Sequence, residues 1–302
     1  MNKLLKSLLF FAATSMLMVE SGAAGAAQTL ETAPTKYIEA NGVKFSYRTL
    51  GPTSGTPLIL LQHFTGTMDS WDPAVVNGLA KDRPVVVFNN RGVGNTSGTP
   101  SDNVAEMTSD AYAFITALGY KKVDLLGFSL GGFIAQELAV AHPDLVNKVI
   151  LAGTSNQGGG EHLLQVLGIA FSKTDIADPR ESLFFSPSAE SQQAARDFVK
   201  RAAVRTQDRD PSSGKAIADA QAKAIITWAN TNDTGDRLLK AIQQPVLIVQ
   251  GSNDTMLISK NSLTMFNTIK NAELVMYPDS NHGSIFQYHD SFVNTADHFL
   301  SH

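Results

Sequence analysis

The chain has 302 residues, 43% of them hydrophobic, and a formal net charge of −4. This length fits one large α/β domain with an insertion, or two small domains. The mild acidity, without any block of lysine or arginine, argues against nucleic acid as a partner. The absence of cysteine excludes disulfides, a thiolate nucleophile and thiolate metal sites.

The first 26 residues have the pattern of an export signal. Lys3 and Lys6 precede an apolar stretch over 8–19, and small residues follow at 24–26. The apolar stretch is shorter than the ~20 residues that cross a bilayer, so a cleaved signal peptide over 1–26 is favoured over a membrane anchor. We therefore expect a protein exported to a periplasm or secreted, with no stable membrane anchor after cleavage.

Beyond this leader, short β-branched runs alternate with helical patterns. Two runs, 37–39 and 44–48, flank Asn41-Gly42 and predict an opening hairpin. Further strands, each apolar nearly throughout, are predicted over 58–62, 85–89, 123–126, 149–152, 246–250 and 273–277. Helices are predicted over 71–80, 107–118, 131–141, 259–268 and 290–300. The alternation predicts an α/β fold, with a mostly parallel sheet covered by helices and strands buried on both faces.

One long segment interrupts the alternation. Between the glycine run 158–160 and Arg237 there is no strand pattern, and apolar residues recur at helical spacing. The apolar stripes are Leu163, Leu164, Leu167, Ala170 and Phe171, then Ala194, Ala195, Phe198, Val199, Ala202 and Ala203, and the pattern continues over 212–229. We therefore expect a core domain of 27–155 and 238–302 and a helical cap over 156–237. A lid over the active site is the favoured interpretation, and a purely structural satellite is the alternative.

The segment that follows the predicted strand 123–126 is the most informative in the chain. It contains the turn Gly127-x-Ser129-x-Gly131 and then an amphipathic helix. Glycines two residues either side of a serine let the backbone double back so tightly that side chains would collide. The turn exposes the hydroxyl, and the helix N-terminus directs N–H groups toward developing negative charge. We predict Ser129 as a catalytic nucleophile.

A serine nucleophile needs a base, and the base needs an orienting group. One predicted strand ends in a glycine turn that carries Asp254, and the next ends in a loop that carries His282. The order Ser129, Asp254, His282 is expected when triad members occupy successive loops at one edge of an α/β sheet. Asp279 is a competing acid, but it is so close to His282 in sequence that it makes a poorer orienting group.

Acyl transfer also needs hydrogen-bond donors for the charge that develops on the carbonyl oxygen. The backbone N–H of Leu130, directly after the predicted nucleophile, is expected to be one donor. The second is expected from the loop over 62–67. Phe64 is predicted, with Thr65 as the alternative, and His63 is interpreted as a hydrogen-bonding support rather than a second base.

These motifs together resemble the α/β-hydrolase superfamily, in the branch of single-domain, lidded serine hydrolases related to cofactor-free haloperoxidases and esterases. The matching pieces are His63-Phe-Thr-Gly, Asn90-Arg-Gly-Val-Gly94-Asn-Thr-Ser97, the elbow over 127–132, Gly251-Ser-Asn-Asp254 and Asn281-His282-Gly283. The resemblance covers nearly all of the chain after the leader. It implies a Ser-His-Asp triad, a central sheet of about eight strands and a helical lid after the sixth strand, with no cofactor and no metal.

The chain departs from the family pattern at two positions. The usual His-Gly pair of the oxyanion loop is His63-Phe64, so a β-carbon occupies a site that normally has none. The usual aspartate of the Asp-x-Arg-Gly turn is Asn89. Relatives that cleave carbon–halogen bonds or epoxides carry aspartate at the elbow, so Ser129 argues against both activities.

The sequence therefore predicts an exported serine hydrolase acting on a small or medium, largely uncharged carboxylic ester or related acyl compound. Phe128, Phe133 and Trp228 are candidates to line the acyl pocket, although aromatic residues equally fill cores. Perhydrolysis with peroxide, lactone hydrolysis and carbon–carbon bond cleavage are alternatives on the same triad. A receptor-like protein that binds a ligand and turns it over slowly or not at all is the non-enzymatic alternative.

Overall fold

The computed structural model describes residues 28–160, 163, 165–166 and 178–302. The predicted leader over 1–26 lies outside this part of the chain, as do four members of the first predicted cap stripe, Leu164, Leu167, Ala170 and Phe171. None of the helices within the described residues is both long enough and apolar enough to cross a membrane.

An eight-stranded sheet forms the centre of the molecule and confirms the predicted α/β fold. Its strands are β1 (Lys36–Ala40), β2 (Val43–Leu50), β3 (Leu58–Leu61), β4 (Val85–Phe88), β5 (Val123–Phe128), β6 (Val146–Ala152), β7 (Val246–Gly251) and β8 (Ala272–Tyr277). They lie in the order β1-β2-β4-β3-β5-β6-β7-β8. The opening hairpin and the β2–β4 pair are antiparallel, and all the other pairs are parallel.

Helices cover the sheet. They are α1 (Pro73–Leu79), α2 (Val104–Ala117), α3 (Leu130–Ala141), α4 (Pro179–Phe184), α5 (Ala189–Ala202), α6 (Lys215–Asn230), α7 (Arg237–Ala241), α8 (Ser259–Thr268), α9 (Ser284–Gln287) and α10 (His289–Ser301). Every residue of β3, β4, β5 and β7 is buried. Because successive side chains of a strand point to opposite faces, these strands are covered on both faces, as predicted.

The last strand is an exception to that prediction. β8 is half-buried or exposed at every position except Tyr277, and Glu273 faces solvent. The reason is its place at the edge of the sheet, where it pairs only with β7. The side chains of an edge strand are covered less completely than those of a central strand. Such a strand therefore need not be apolar at every position.

Side-chain caps set helix boundaries that apolar periodicity did not locate. Asn103 accepts a hydrogen bond from the amide of Glu106 and starts α2 before the predicted residue 107. Asp72 accepts from the amide of Ala74, so α1 begins at Pro73 rather than at Trp71. Both side chains satisfy N–H groups that a helix leaves unpaired in its first turn.

The segment between β6 and β7 contains helices α4 to α6 within its described residues, and α7 crosses the predicted boundary at 237/238. In α5, the predicted stripe residues Ala195, Phe198 and Ala202 are buried. This segment, called the cap from here on and taken as the described residues of 156–237, is joined to the core by polar contacts. Arg201 makes two hydrogen bonds to the buried Asp72, at 2.8 and 2.6 Å.

Candidate active site

The Ser129 residue lies between β5 and α3 in a strained backbone conformation. Its φ angle of +56° falls in the left-handed region, which non-glycine residues adopt only when their surroundings fix it. Here the Ser129 amide donates to Ala152 O at 3.0 Å. Its carbonyl accepts from Thr154 Oγ1 at 2.8 Å. These bonds hold the turn from both ends.

The glycines on either side of Ser129 are required by close backbone approach. A β-carbon at Gly131 would collide with the carbonyl oxygen of Leu61 on β3, and one at Gly127 would lie 2.5 Å from the carbonyl oxygen of Gly131. Helix α3 can therefore start against the sheet only because both positions lack a side chain.

The predicted acid and base form a buried pair. His282 Nδ1 lies 2.9 Å from Asp254 Oδ2, and the two residues are 1% and 4% exposed. Asp254 Oδ1 also accepts from the amides of Met256 and Leu257, and Oδ2 accepts from Gln250 Nε2. Because Nδ1 faces a carboxylate it carries the proton, which leaves Nε2 of His282 as a hydrogen-bond acceptor.

One cavity brings the predicted base and nucleophile together. Ser129 and His282 both line a space of about 390 Å³, together with Phe64. His282 Nε2 is buried and makes no hydrogen bond to any described residue. Catalytic hydrogen bonds of this kind are often loose in the free enzyme and tighten when substrate binds. An acceptor nitrogen and a hydroxyl that line the same cavity are the two groups that general-base activation needs.

The competing acid, Asp279, lies elsewhere. Its Oδ2 accepts a hydrogen bond from Ser188 Oγ, at the start of α5, and its backbone has a φ angle of +44°. It makes no hydrogen bond to His282. Asp254, and not Asp279, is therefore the carboxylate that lies against His282.

Hydrogen bonding in the oxyanion loop over 62–67 differs between Phe64 and Thr65, the two candidates for the second oxyanion donor. The Thr65 amide already donates to Gln221 Oε1, at 2.6 Å. The Phe64 amide has no hydrogen-bond acceptor among the described residues. The Phe64 N–H and the His63 carbonyl belong to one peptide group and point in opposite directions. The His63 carbonyl accepts a hydrogen bond from the Gly66 amide. Phe64 therefore has the available N–H group, alongside Leu130, whose amide is in the unpaired first turn of α3.

His63 supports this loop in its neutral form. Its Nδ1 lies 2.8 Å from the carbonyl oxygen of Phe64, so Nδ1 is the protonated, donating nitrogen. Burial, reinforced by the positive charge of Arg180, lowers the pKa of His63 to about 3. A neutral imidazole that donates to its own loop fits the supporting role predicted for His63.

The unusual Asn89 makes neutral hydrogen bonds at the position where the family has a charged side chain. Its Oδ1 accepts from the amide of Met68 at 2.8 Å, and its Nδ2 donates to Ser46 Oγ at 2.9 Å. Asn89 is fully buried. Its amide group thus joins β2 to the segment after the oxyanion loop without a buried charge.

The aromatic residues proposed for the acyl pocket belong to the core instead. Phe133 stacks on Trp228 with ring centroids 4.7 Å apart, and the indole N–H donates to Asn156 O. Phe128 is fully buried and its ring centroid lies 5.1 Å from that of His282. None of the three lines the cavity. The pocket assignment is therefore corrected, because buried aromatic residues give the same sequence signal in a core as in a pocket.

The cap supplies cavity walls that sequence periodicity did not identify. They include Asp178, Pro179, Arg180, Leu183, Phe184 and Arg209. Arg180 pairs with Asp178 at 2.6 Å. The only sequence signal for this wall was its location in the insertion. Within the described ranges, no three His, Asp or Glu side chains converge as a metal ion would need.

Comparison with known proteins places the chain in a family. A solved alpha/beta hydrolase fold protein from Chitinophaga pinensis matches with a TM-score of 0.86 and 42% identity, over 90% of this chain and 99% of that one. The serine hydrolase BPHL of Homo sapiens is 25% identical over 291 residues, 92% of this chain and 90% of the relative. BpoC of Mycobacterium tuberculosis, a candidate non-heme bromoperoxidase, is 24% identical over 257 residues, 80% of this chain and 92% of the relative. The alpha/beta hydrolase fold family matches residues 56–287, and the chain therefore belongs to that family.

Proposed function

We propose that the protein is a serine hydrolase that cleaves carboxylic esters or related acyl compounds. The observation that carries this proposal is the buried pair of Asp254 and His282, of which His282 lines a cavity together with Ser129 on its strained turn. Strain of this kind persists where function selects for it, since the fold alone has no need of a left-handed serine. The likeness to the human serine hydrolase adds support.

The reaction begins with attack of Ser129 Oγ on the carbonyl carbon of the substrate. His282 Nε2 takes the hydroxyl proton, and Asp254 stabilises the imidazolium that forms. The N–H groups of Leu130 and Phe64 bind the oxyanion of the tetrahedral intermediate. When the intermediate collapses, His282 returns the proton to the leaving alcohol and an acyl-enzyme remains. Water, deprotonated by His282, then attacks the acyl-enzyme, and His282 returns that proton to Ser129 Oγ as the acid leaves.

The cavity supports a substrate of small or medium size. Its volume of about 390 Å³ lies near the lower end of the ~300–1,000 Å³ found for small-molecule sites. Leu183, Phe184 and Met256 supply apolar walls. Charged side chains are also present, but Arg180 is already paired with Asp178. A short, uncharged acyl group against the apolar walls is the substrate class that fits best.

A fluorophosphonate probe tests the proposal directly, because it labels only an activated serine. We expect labelling of the wild type and none of Ser129→Ala or His282→Ala, with Asp279→Asn labelled as fast as the wild type. A series of p-nitrophenyl esters of increasing chain length then maps the acyl site. Full ester turnover by Ser129→Ala would refute the proposal. Absence of labelling in folded wild-type protein would favour the ligand-binding alternative.

A second activity, perhydrolysis, is favoured by the likeness to BpoC. In that reaction hydrogen peroxide replaces water in the attack on the acyl-enzyme and releases a peracid. The same residues serve both reactions, so the distinction is kinetic. Peracid formation from acetate and peroxide, lost in Ser129→Ala, would establish this activity, and ester hydrolysis without any peracid would exclude it.

We also propose that the protein is exported, as the leader pattern over 1–26 suggests. Cell fractionation followed by N-terminal sequencing of the recovered protein tests this. A mature N-terminus near residue 27 in the exported fraction is expected. Full-length protein retained inside the cell would contradict export.

A further inference from the structure

The cap holds one residue of the oxyanion loop from two sides. Ser213 Oγ donates to the carbonyl oxygen of Thr65 at 2.7 Å, and the Thr65 amide donates to Gln221 Oε1 at 2.6 Å. Gln221 lies on α6 and is 1% exposed. Both backbone polar groups of Thr65 are thus bound by side chains more than a hundred positions away in the sequence.

Thr65 needs such restraint because its backbone is strained. Its φ angle is +58°, which places a β-branched side chain in the left-handed region. That conformation is a genuine outlier for a β-branched residue and persists only when surrounding contacts fix it. The Thr65 side chain adds a local contact, since its Oγ1 donates to the Phe64 carbonyl. Among the residues that the structure describes, the two bonds from the cap are the hydrogen bonds to Thr65 that come from outside the loop.

The restraint on Thr65 extends to the proposed oxyanion donor. Phe64 and Thr65 share a planar peptide group, whose carbonyl accepts from His63 Nδ1 and whose N–H is the group bound by Gln221. The Phe64 N–H belongs to the preceding peptide group, and the two peptide groups are joined at the Phe64 Cα. If the Phe64–Thr65 peptide is displaced, that Cα moves, and the Phe64 N–H bonded next to it shifts away from the position of the oxyanion. A donor that must point at a developing oxyanion loses most of its effect when it turns away.

We infer that Gln221 and Ser213 of the cap are positioning residues of the oxyanion hole, and that docking of the cap and formation of the hole are one event. The inference rests on the proposed function. It assigns the cap a part in transition-state stabilisation as well as in enclosing substrate. A further hydrogen bond, independent of Thr65, fixes the cap against the core. The amide of Asp210, shortly before α6, donates to the buried Asp69 Oδ2 at 2.6 Å.

The test compares two glutamines of the cap. Gln221→Met keeps the shape of the side chain and removes the acceptor, whereas Gln221→Glu at pH 8 keeps an acceptor oxygen. Gln192→Met is the matched control, since among the described residues the hydrogen bonds of Gln192 Nε2 stay within the cap, to Ser186 O and Glu181 O. Initial rates with a p-nitrophenyl ester give kcat and KM, and thermal melting verifies folding of every variant.

We expect Gln221→Met to lower kcat about tenfold with KM within about twofold. This loss is below the ~100-fold of deleting an oxyanion donor, because the donor is displaced rather than removed. Gln221→Glu should recover most of kcat, Gln192→Met should match the wild type, and Ser213→Ala should act in the same direction as Gln221→Met. The rate of fluorophosphonate labelling should follow kcat.

Three results would overturn the inference while leaving the proposed function intact. Each of them presupposes an active wild type. The first is a wild-type kcat in Gln221→Met, the second is a rise in the KM of Gln221→Met without a loss of kcat, and the third is an equal loss of kcat in Gln192→Met. Failure of the proposed function has a different signature, because the wild type itself would then show neither labelling nor turnover.

Discussion

The Asp254 carboxylate receives hydrogen bonds at both oxygens, and this fixes the tautomer of the residue beside it. Oδ1 accepts from the amides of Met256 and Leu257, while Oδ2 accepts from Gln250 Nε2 and faces His282 Nδ1. A carboxylate held in this way cannot rotate to offer another geometry, so the imidazole has a single favourable orientation. Under the proposed mechanism, His282 Nε2 is then the nitrogen that takes the Ser129 proton in every turnover.

Replacement of Asp254 by asparagine is expected to lower kcat by about 10³- to 10⁴-fold, because an amide can donate to Nδ1 and stabilise the wrong tautomer. Asp279→Asn is the matched control, since Asp279 contacts Ser188 rather than His282. It should retain kcat within about twofold of wild type, the range of a change that loses no transition-state contact. Steady-state ester hydrolysis distinguishes the two, and equal losses would transfer the orienting role away from Asp254.

His63 should make stability depend on pH below neutrality. Burial lowers its pKa from 6.5 to about 3, so between these values the unfolded chain binds a proton that the native state does not. Stability conferred by the neutral imidazole is therefore full above pH 6.5 and falls as the pH drops toward 3, by up to about 1.4 kcal/mol per pH unit.

Urea denaturation of wild type and His63→Gln at several pH values between 4 and 7 measures this dependence. The wild-type advantage should shrink as pH falls, and His63→Asn should give the same trend as His63→Gln because neither replacement titrates. A constant difference between wild type and both variants across this range would show that the native imidazole takes up a proton as readily as the unfolded one.

At the scale of elements, the contact between α1 and α5 joins the cap to the core. Asp72 is both the N-cap of α1 and the partner of Arg201, which lies in the last turn of α5. The carboxylate is fully buried, whereas the guanidinium is partly exposed. Asp72 therefore caps the first turn of a core helix and pairs with a guanidinium near the C-terminal end of a cap helix.

Arg201→Met should destabilise the protein by about 3 kcal/mol, since it leaves the buried Asp72 carboxylate without its counter-charge. Lys215→Met is the control, because the Lys215–Asp219 pair on α6 is exposed and exposed pairs contribute little. Denaturation midpoints should fall for Arg201→Met alone. A midpoint unchanged by Arg201→Met would mean that the N-cap hydrogen bond to Ala74 suffices to hold the carboxylate.

At the scale of the whole molecule, the sequence predicts best what local pattern determines. The residues Ser129, Asp254 and His282 each follow an apolar strand, so their approach at one sheet edge follows from parallel topology. The bond between Thr65 and Gln221 has no such signal, because no periodicity relates a core loop to a cap helix. Phe133 and Trp228 illustrate the reverse problem, since their stacked rings in the core have the sequence appearance of a pocket wall.

The docked cap is expected to be the ground state of the molecule, held by contacts that a freely opening lid would lack. Besides Arg201, the cap residue Arg205 donates from one nitrogen to three carbonyl oxygens of the N-terminal segment, those of Leu30, Glu31 and Ala33. Asp210 donates its amide to a buried carboxylate. Opening the cap would expose these groups together, and each unpaired buried group adds to the free energy of that opening.

Hydrogen exchange measured by NMR tests this expectation at single amides. The Asp210 amide should exchange on the order of 10³-fold more slowly than an unprotected amide, in the range of core strands rather than of mobile loops. Ser212, whose amide makes no hydrogen bond to any described residue, provides the comparison two positions away. Equal, rapid exchange at both amides would mean that the cap swings away from the core as a unit. Slow exchange at Asp210 that is lost in Arg205→Ala would show that the buried contacts of the cap act together.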